Sequence, residues 1–292
     1  MKTLTVFTPT YNRAFCLPQL YKSLCRQTSQ DFEWLLIDDG SKDNTQELIN
    51  SWIADNKIKI SYAKKDNGGM HTGHNLAYQL IETELNVCID SDDYMPDNAV
   101  ALILKTREAS KSKDIAGIVG LDATKDGAII GSKLPNVAAG SFMDIYGKHQ
   151  CTGDKKVVLK TAIVKQYPSY PEYENEKLVP LGILYNTIGL DYDFIYANDV
   201  YCIVEYLEGG SSDAILKQYK QSPRGFAYSR KVNNKATKAF TGQVKNAVHI
   251  GSSAIFAKDM SILKEEGRTL WNILLLPMGA LLNGYIRWKT RK

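Results

Sequence analysis

The sequence predicts an α/β fold: a mixed, mostly parallel sheet flanked by helices, with a C-terminal helical, basic extension. Three observations predict it. Short apolar runs alternate with amphipathic segments through the first half of the chain, which is the pattern of βαβ units. Polar motifs, two of them acidic, follow three of those runs directly, where such sheets bind ligands. Charge is also lopsided. Residues 217–292 hold 15 Lys+Arg against three acids, or +12, while the whole chain carries +4, which leaves −8 for the first 216 residues.

Residues 4–8 read as the first strand, and residues 15–27, with Leu17, Leu20, Tyr21 and Leu24 at helical spacing, as the first helix. Residues 32–37 form the second strand. Residues 45–54 form a helix with Leu48, Ile49, Trp52 and Ile53 on one stripe. Strand 58–62, helix 74–81, strand 85–89, helix 98–110 and strand 115–121 continue the alternation. From 127 to 173 the pattern is irregular, with loops and short strands. Residues 179–188 are apolar enough for a buried helix. Residues 194–196 and 201–204 read as two short strands, and 218–232 and 237–256 as helices. The expected organisation is a catalytic domain over 1–215, divided into a nucleotide-binding half (1–121) and an acceptor-side half (122–215). A helical region over 216–292 ends in an apolar and basic tail, 270–292.

The 292 residues are ample for a sizeable core. The five cysteines, Cys16, Cys25, Cys88, Cys151 and Cys202, are scattered with no C-x-x-C pair, which argues against a zinc site or a disulfide framework and favours a reducing, cytoplasmic setting. The apolar segment at residues 4–8 is too short for a signal peptide.

The stretch between Arg268 and Arg287 carries no charge and approaches the roughly 20 residues that a spanning helix needs. Asn272, Pro277, Gly279, Asn283 and Gly284 weaken a span. Trp271 and Trp288 near its ends, with Arg287, Lys289, Arg291 and Lys292 at one end, favour a helix lying at a membrane interface over one packed on the domain. A basic end on an acidic body suits an anionic surface. Nucleic acid is disfavoured as that surface, because aromatic residues are not interleaved with the charges on a recognisable fold.

Three motifs carry chemistry. Thr8-Pro9-Thr10-Tyr11-Asn12-Arg13 follows the first strand, Asp38-Asp39-Gly40-Ser41 the second, and Asp90-Ser91-Asp92-Asp93 the strand at 85–89. Three carboxylates within four residues repel one another unless a cation joins them, and a hard divalent ion suits one or two carboxylates plus phosphate oxygens. A helix cap is the plainer reading of that segment. In order and spacing the three motifs resemble the GT-A glycosyltransferases of family 2, most closely over residues 4–121 and more loosely to about 207.

The resemblance implies an inverting transfer from a UDP-sugar, assisted by Mn²⁺ or Mg²⁺. It implies that Pro9 and Tyr11 line a uracil pocket, with Arg13 supporting the same loop. Asp39 would accept the uracil N3 proton, while Asp38 holds the turn. Asn67-Gly68-Gly69 through Asn75 would face the nucleotide, with Gly69 allowing close backbone approach and a helix N-terminus favouring anions. Relatives often carry Lys or Arg there. Met70 and His71 stand in this stretch instead, and His74 reads as a surface or cap residue. Asp92 would contact the metal, Asp90 the ribose or the metal through water, Ser91 would lie between them at the nucleotide, and Asp93 would hold the turn or cap the next helix.

A general base must take the acceptor proton. The resemblance puts it after the D-x-D, in Tyr173-Glu174-Asn175-Glu176-Lys177, with Glu176 favoured, Glu174 the alternate, and Asp191 or Asp193 behind them. Lys177 departs from the family's usual acid. No Gln-x-x-Arg-Trp follows, which implies a non-processive enzyme. The implied acceptor is a saccharide, lipid-diphosphate-linked, in surface polysaccharide or cell-wall glycan synthesis at the inner face of a bacterial membrane. Two alternatives stand beside this. One is a catalytically silent nucleotide-sugar-binding module. The other is a sugar nucleotidyltransferase, which the lack of glycine after the first strand disfavours.

Overall fold

Leu4–Thr10 is buried along its whole length, as expected of a parallel strand covered on both faces. It forms β1 of a computed structural model that describes residues 2–108, 114–205, 215–237 and 239–291. The chain divides into two units: Met1–Pro168 with Ile188–Leu207, and Ser169–Thr187 with Glu208–Lys292.

In the first unit β1 is followed by α1 (Leu17–Cys25), β2 (Phe32–Asp38), α2 (Thr45–Asp55), β3 (Ile60–Lys64), α3 (Met70–Leu80), β4 (Leu85–Cys88), α4 (Ala99–Glu108), β5 (Ile115–Ala123), β6 (Ala139–Gly140), α5 (Phe142–Gly147), β7 (Lys155–Lys160), α6 (Thr161–Val164) and β8 (Asp193–Ile203). The strands form one sheet in the order β3-β2-β1-β4-β7-β5-β8-β6. β1 pairs in parallel with both β2 and β4, so the order reverses at β1. At such a switch point the carboxyl ends of the strands open a crevice. Tyr21 of α1 stacks on Trp52 of α2 at 4.4 Å, and both stack on Trp34 of β2. The apolar stripe read from α1 packs, and that of α2 packs through Leu48, Ile49 and Trp52, while Ile53 is exposed.

Two features of the sheet differ from the sequence expectation. β7 lies antiparallel between β4 and β5. Its lysine-rich sequence hides a buried strand. Asn86 of β4 holds it by donating to Leu159 O at 3.3 Å and Thr161 Oγ1 at 3.0 Å. A side chain on Gly117 would strike Val158 O at 1.9 Å, so only glycine lets β5 close on β7. The two short strands expected at 194–196 and 201–204 are one strand, β8, whose register against β5 shifts around Leu121 and Asp122. Such irregularities re-aim side chains.

The second unit is helical: α7 (Gly182–Ile188), α8 (Ile215–Gln221), α9 (Pro223–Ala236), α10 (Phe240–Ala257), a 3₁₀ turn (Met260–Leu263), α11 (Thr269–Leu274) and α12 (Leu276–Lys289). The single helix expected over 218–232 is broken at Ser222, because Pro223 lacks an N–H and takes a first-turn position. Segment 169–187, grouped with the catalytic domain in the sequence reading, belongs to this unit. The tail is two short helices, and no helix among the described residues is long and apolar enough to cross a membrane.

Candidate active site

The loop after β1 and the turn after β2 are stitched together. The Asn12 amide donates to Ser41 Oγ at 2.9 Å, and the Lys42 amide to Asn12 Oδ1 at 2.8 Å. Asn12 has a positive φ of 53°, a conformation that Asn tolerates better than most residues. Asp38 is wholly buried and does hold the turn. It accepts from the Ser41 amide at 2.7 Å and from the Tyr62 hydroxyl at 2.6 Å. Pro9 is buried, and Gly73 of α3 passes close to its ring. Tyr11 is exposed beside them.

Asp39 is buried, and four donors converge on its carboxylate. Lys65 Nζ (2.8 Å) and the Gly68 amide (2.9 Å) reach one oxygen. The Gly69 amide (2.7 Å) and Asn67 Nδ2 (3.0 Å) reach the other. Asp39 therefore latches the loop that leads into α3. Gly69, with φ of 94°, is the residue that lets the chain turn into that helix. The cation of this loop, which the sequence reading did not find in the 67–75 stretch, is Lys65. Its ammonium also donates to Thr72 Oγ1 at 2.7 Å. The signal is present as Lys65 directly after β3, two residues upstream of the 67–75 stretch.

His71 and Asn75 are buried on α3. His74 is fully buried, which corrects its reading as a surface or cap residue. Its ring packs edge-on against Phe7 at 4.9 Å, and Nδ1 lies 3.2 Å from the Tyr78 hydroxyl. Burial, helped by His71 and Lys156, lowers its pKa to about 3, so it stays neutral.

The turn after β4 is built differently. Asp92 meets Arg13 Nη1 at 3.6 Å, which joins the β1 loop to the D-x-D. Asp90 accepts a weak bond from the Cys88 thiol at 3.8 Å. Ser91 is buried between them. Asp93 does not cap α4. It accepts from the Glu205 amide at 3.3 Å and the Cys202 thiol at 3.6 Å, tying the turn to the end of β8. Burial pushes Asp90 above the usual carboxylate range and Asp93 up to about 7, while the Lys156 ammonium draws both back.

Lys156 of β7 and Asp122 of β5 went unnoticed in the sequence. Lys156 Nζ stands 3.9 Å from Asp122 Oδ1, which is buried and has no hydrogen-bond partner. Burial works to strip Lys156 of its proton, but Asp122, the Cys202 sulfur, Asp90 and Asp93 outweigh it and hold its pKa well above normal. The lysine is thus the internal counter-charge of the cluster. Nothing in Lys155-Lys156-Val157-Val158 distinguishes it from a solvated lysine.

No three His, Cys, Asp or Glu side chains among the described residues form a ready-made metal cage. The donor set still suits a hard cation that brings most of its ligands with it. Asp90 and Asp92 offer carboxylate oxygens that are poorly supplied with donors, and they follow a strand end at the switch point.

In the second unit, Glu176 is buried at the N-terminus of α9. Its carboxylate accepts from the Arg224 amide (3.1 Å), the Gly225 amide (3.0 Å) and Arg224 Nη1 (3.4 Å). This satisfies orphan helix N–H groups with a negative charge. Glu174 is exposed on the same turn. Asp191, in the first unit, accepts from the Tyr167 hydroxyl at 2.7 Å, and Asp193 begins β8.

The fold and these strand-end motifs define an α/β domain whose polar rim lies at the carboxyl ends of its parallel strands. Residues 5–133 match the model of glycosyl transferase family 2. Chondroitin synthase of Pasteurella multocida is 33% identical over 129 residues, 44% of this chain and 13% of that protein. The chain thus spans a small part of the length of that relative. Among solved structures, Staphylococcus aureus TarS 1–349 in complex with UDP-GlcNAc superposes with a TM-score of 0.61 at 16% identity, covering 99% of this chain and 92% of that one. The mannosyltransferase of Pyrobaculum calidifontis in complex with GDP-Man and Mn²⁺ gives 0.57 at 15%, covering 96% and 73%. These likenesses establish the GT-A fold.

Proposed function

We propose that the protein moves a sugar from a UDP-sugar to a saccharide acceptor with inversion at the anomeric carbon, one sugar per encounter, in surface polysaccharide or cell-wall glycan synthesis. The observation that carries this reading is the donor-poor pair Asp90 and Asp92, at the switch point of a sheet whose family transfers sugars. TarS, solved with UDP-GlcNAc, supports a UDP-linked donor.

Asp92, with Asp90, would hold a divalent cation, as the mannosyltransferase structure with Mn²⁺ supports. Such a cation stabilises the charge that develops on the departing diphosphate. Arg13 sits against Asp92 and can turn to a phosphate when the cation takes its place. Pro9, Tyr11, Gly69, His71, Asn75 and Ser91 belong to the nucleotide side. The Asp39 latch shapes the base pocket, and a uracil N3–H would replace one of its four donors. The acceptor oxygen attacks the anomeric carbon, the bond to the diphosphate breaks with its electron pair leaving on UDP, and the acceptor proton passes to a carboxylate. The helix-capping bonds of Glu176 occupy both its oxygens, which favours Glu174 as that base over Glu176. The inferred acceptor is lipid-diphosphate-linked, with the enzyme peripheral at the inner face of the cell membrane.

Titration of UDP with and without Mn²⁺, followed by a screen of UDP-hexoses for UDP release, tests the reading. Metal-enhanced binding and turnover are expected. UDP binding without turnover on any donor or acceptor would favour the silent binding module, and turnover with GDP-mannose alone would overturn the UDP assignment. Glu174→Gln should abolish transfer and leave UDP affinity unchanged. Glu176→Gln should chiefly lower the melting temperature. The reverse result returns the base to Glu176.

A further inference from the structure

The tail helices are docked inside out. Asn272 is fully buried and Asn283 is 4% exposed, whereas Leu270, Leu274 and Leu281 are 78%, 71% and 76% exposed. A helix on an ordinary globular surface does the opposite, turning leucine inward and asparagine to water. The amide nitrogens of both buried asparagines are paired: Asn272 donates to Leu263 O at 3.1 Å and Glu265 Oε2 at 3.2 Å, and Asn283 donates to Ser252 O at 3.3 Å and accepts from Arg287 Nε at 2.7 Å, whereas Asn272 Oδ1 has no hydrogen-bond partner. The orientation is fixed by backbone contact between α10 and α12. A side chain on Gly279 would lie 2.9 Å from Gly251, so the small face of α12 must be the inner one.

The outer face is a continuous stripe. Leu270, Leu274, Met278, Leu281, Tyr285 and Trp288 are all exposed and recur every three or four residues. Phe240, 5.8 Å from Trp271, extends it. Cations bracket the stripe, with Arg268 before it and Arg287, Lys289 and Arg291 at its far end, and no acid intervenes. Trp288 and Tyr285 stand at the basic end, with Lys289 over the Trp288 ring at 5.1 Å.

We infer that the exposed face of α11 and α12 is a binding surface for an anionic lipid bilayer, lying in the interface with its leucines among the acyl chains and its cations among the headgroups. At about 1.5 Å per residue the 14 residues of α12 reach about 21 Å, short of the roughly 30 Å hydrocarbon core. α11 and α12 share a break at Leu275 rather than continuing as one rod. Both facts favour an in-plane helix over a span. A second copy of the chain is the weaker occupant, because it would bring two sets of like cations together, whereas anionic headgroups attract them. This surface deepens the membrane reading given above, and it rests on unit-two geometry alone rather than on the transfer reaction.

The test uses the full chain and vesicles of phosphatidylcholine with or without 30% phosphatidylglycerol (about the anionic share of many membranes). Wild type should co-float with the anionic vesicles, at least about tenfold less with neutral ones, and less at high salt. Leu274→Glu/Leu281→Glu places charge on two largely exposed side chains, and should reduce flotation by about tenfold or more. Lys289→Glu/Arg291→Glu should do the same on anionic vesicles only. Leu80→Glu, on the first unit, should leave flotation unchanged. UDP affinity, read on every variant, should not move. Equal flotation of wild type and Leu274→Glu/Leu281→Glu overturns the inference. So does wild type that stays off vesicles but becomes monomeric only in that variant, which would assign the face to a second copy. Vesicle binding without UDP binding would sink the donor reading and leave this one standing.

Discussion

At the end of β2, Asp39 accepts from four donors, two on each oxygen. At the end of β4, Asp92 meets one guanidinium at 3.6 Å, Asp90 a thiol at 3.8 Å, and the neighbouring Asp122 has an oxygen with no hydrogen-bond partner. Both turns begin with adjacent or near-adjacent acids, and both follow parallel strands at the same rim of the sheet. A carboxylate offers about four acceptor sites. The first turn fills them from its own chain and becomes structure. The second leaves most of them open, with Lys156 and Arg13 as its counter-charges, and suits an external cation. Acid content alone does not separate a latch from a ligand site, but the supply of donors does.

The contrast can be broken most decisively at Asp92. Asp92→Asn should lower UDP-sugar turnover on the order of a thousandfold, since metal stabilisation of the leaving group amounts to several kcal/mol, and should erase any Mn²⁺ dependence of UDP binding. Retained dependence would move the metal off this turn. Next in size is Lys156→Met. Leaving buried carboxylates without their partner costs about 3–5 kcal/mol, measured by denaturant unfolding. Adding Asp122→Asn should recover part of that loss, and strict additivity of the two changes would mean that they do not interact.

Asp39→Ala leaves four donors without their acceptor, at a cost of about 1–3 kcal/mol for each one that water does not reach. It should also weaken UDP binding by loosening residues 65–69, which hydrogen exchange of the Gly68 and Gly69 amides would report. An Asp39→Ala protein with unchanged exchange there would disprove the latch. The smallest effect concerns His74. Its folded pKa of about 3 lies below the ordinary 6.5. Between those values the unfolded chain binds the extra proton, so the stability this burial provides is full above pH 6.5 and falls as pH drops. About 2 kcal/mol should be lost from pH 7 to pH 5. His249 of α10, lowered to about 4 by burial and by Arg230 and Lys245, adds a loss of the same sign. Unfolding curves of His74→Gln should show the shallower pH slope.

Much of the first unit could be read in advance because its information is local. A strand such as Leu4–Thr10 announces itself by an apolar run, α1 and α2 by a 3.6-residue stripe, and the ligand rim by acids placed at strand ends. The resemblance to family 2 rested on those same local motifs. β7 was lost because three of its six residues are lysines, and nothing local says that one of them will be enclosed. His74 is polar by type yet buried against Phe7, a placement that no local pattern marks. The break at Pro223 had a local signal, but a helical stripe ran across it.

The sequence by itself determined the class of the sheet, the order of its nucleotide-side motifs and the basic, apolar character of the tail, since each depends on neighbours within a few turns or one strand. Only the tertiary structure decided which acids are sated and which are open, that Lys156 is enclosed among Asp90, Asp93 and Asp122, that Glu176 caps α9, and that α12 turns its leucines outward. Those outcomes are set by atoms brought together from distant strands and helices. Burial and hydrogen-bond supply are properties of that packing, and no window of sequence contains them.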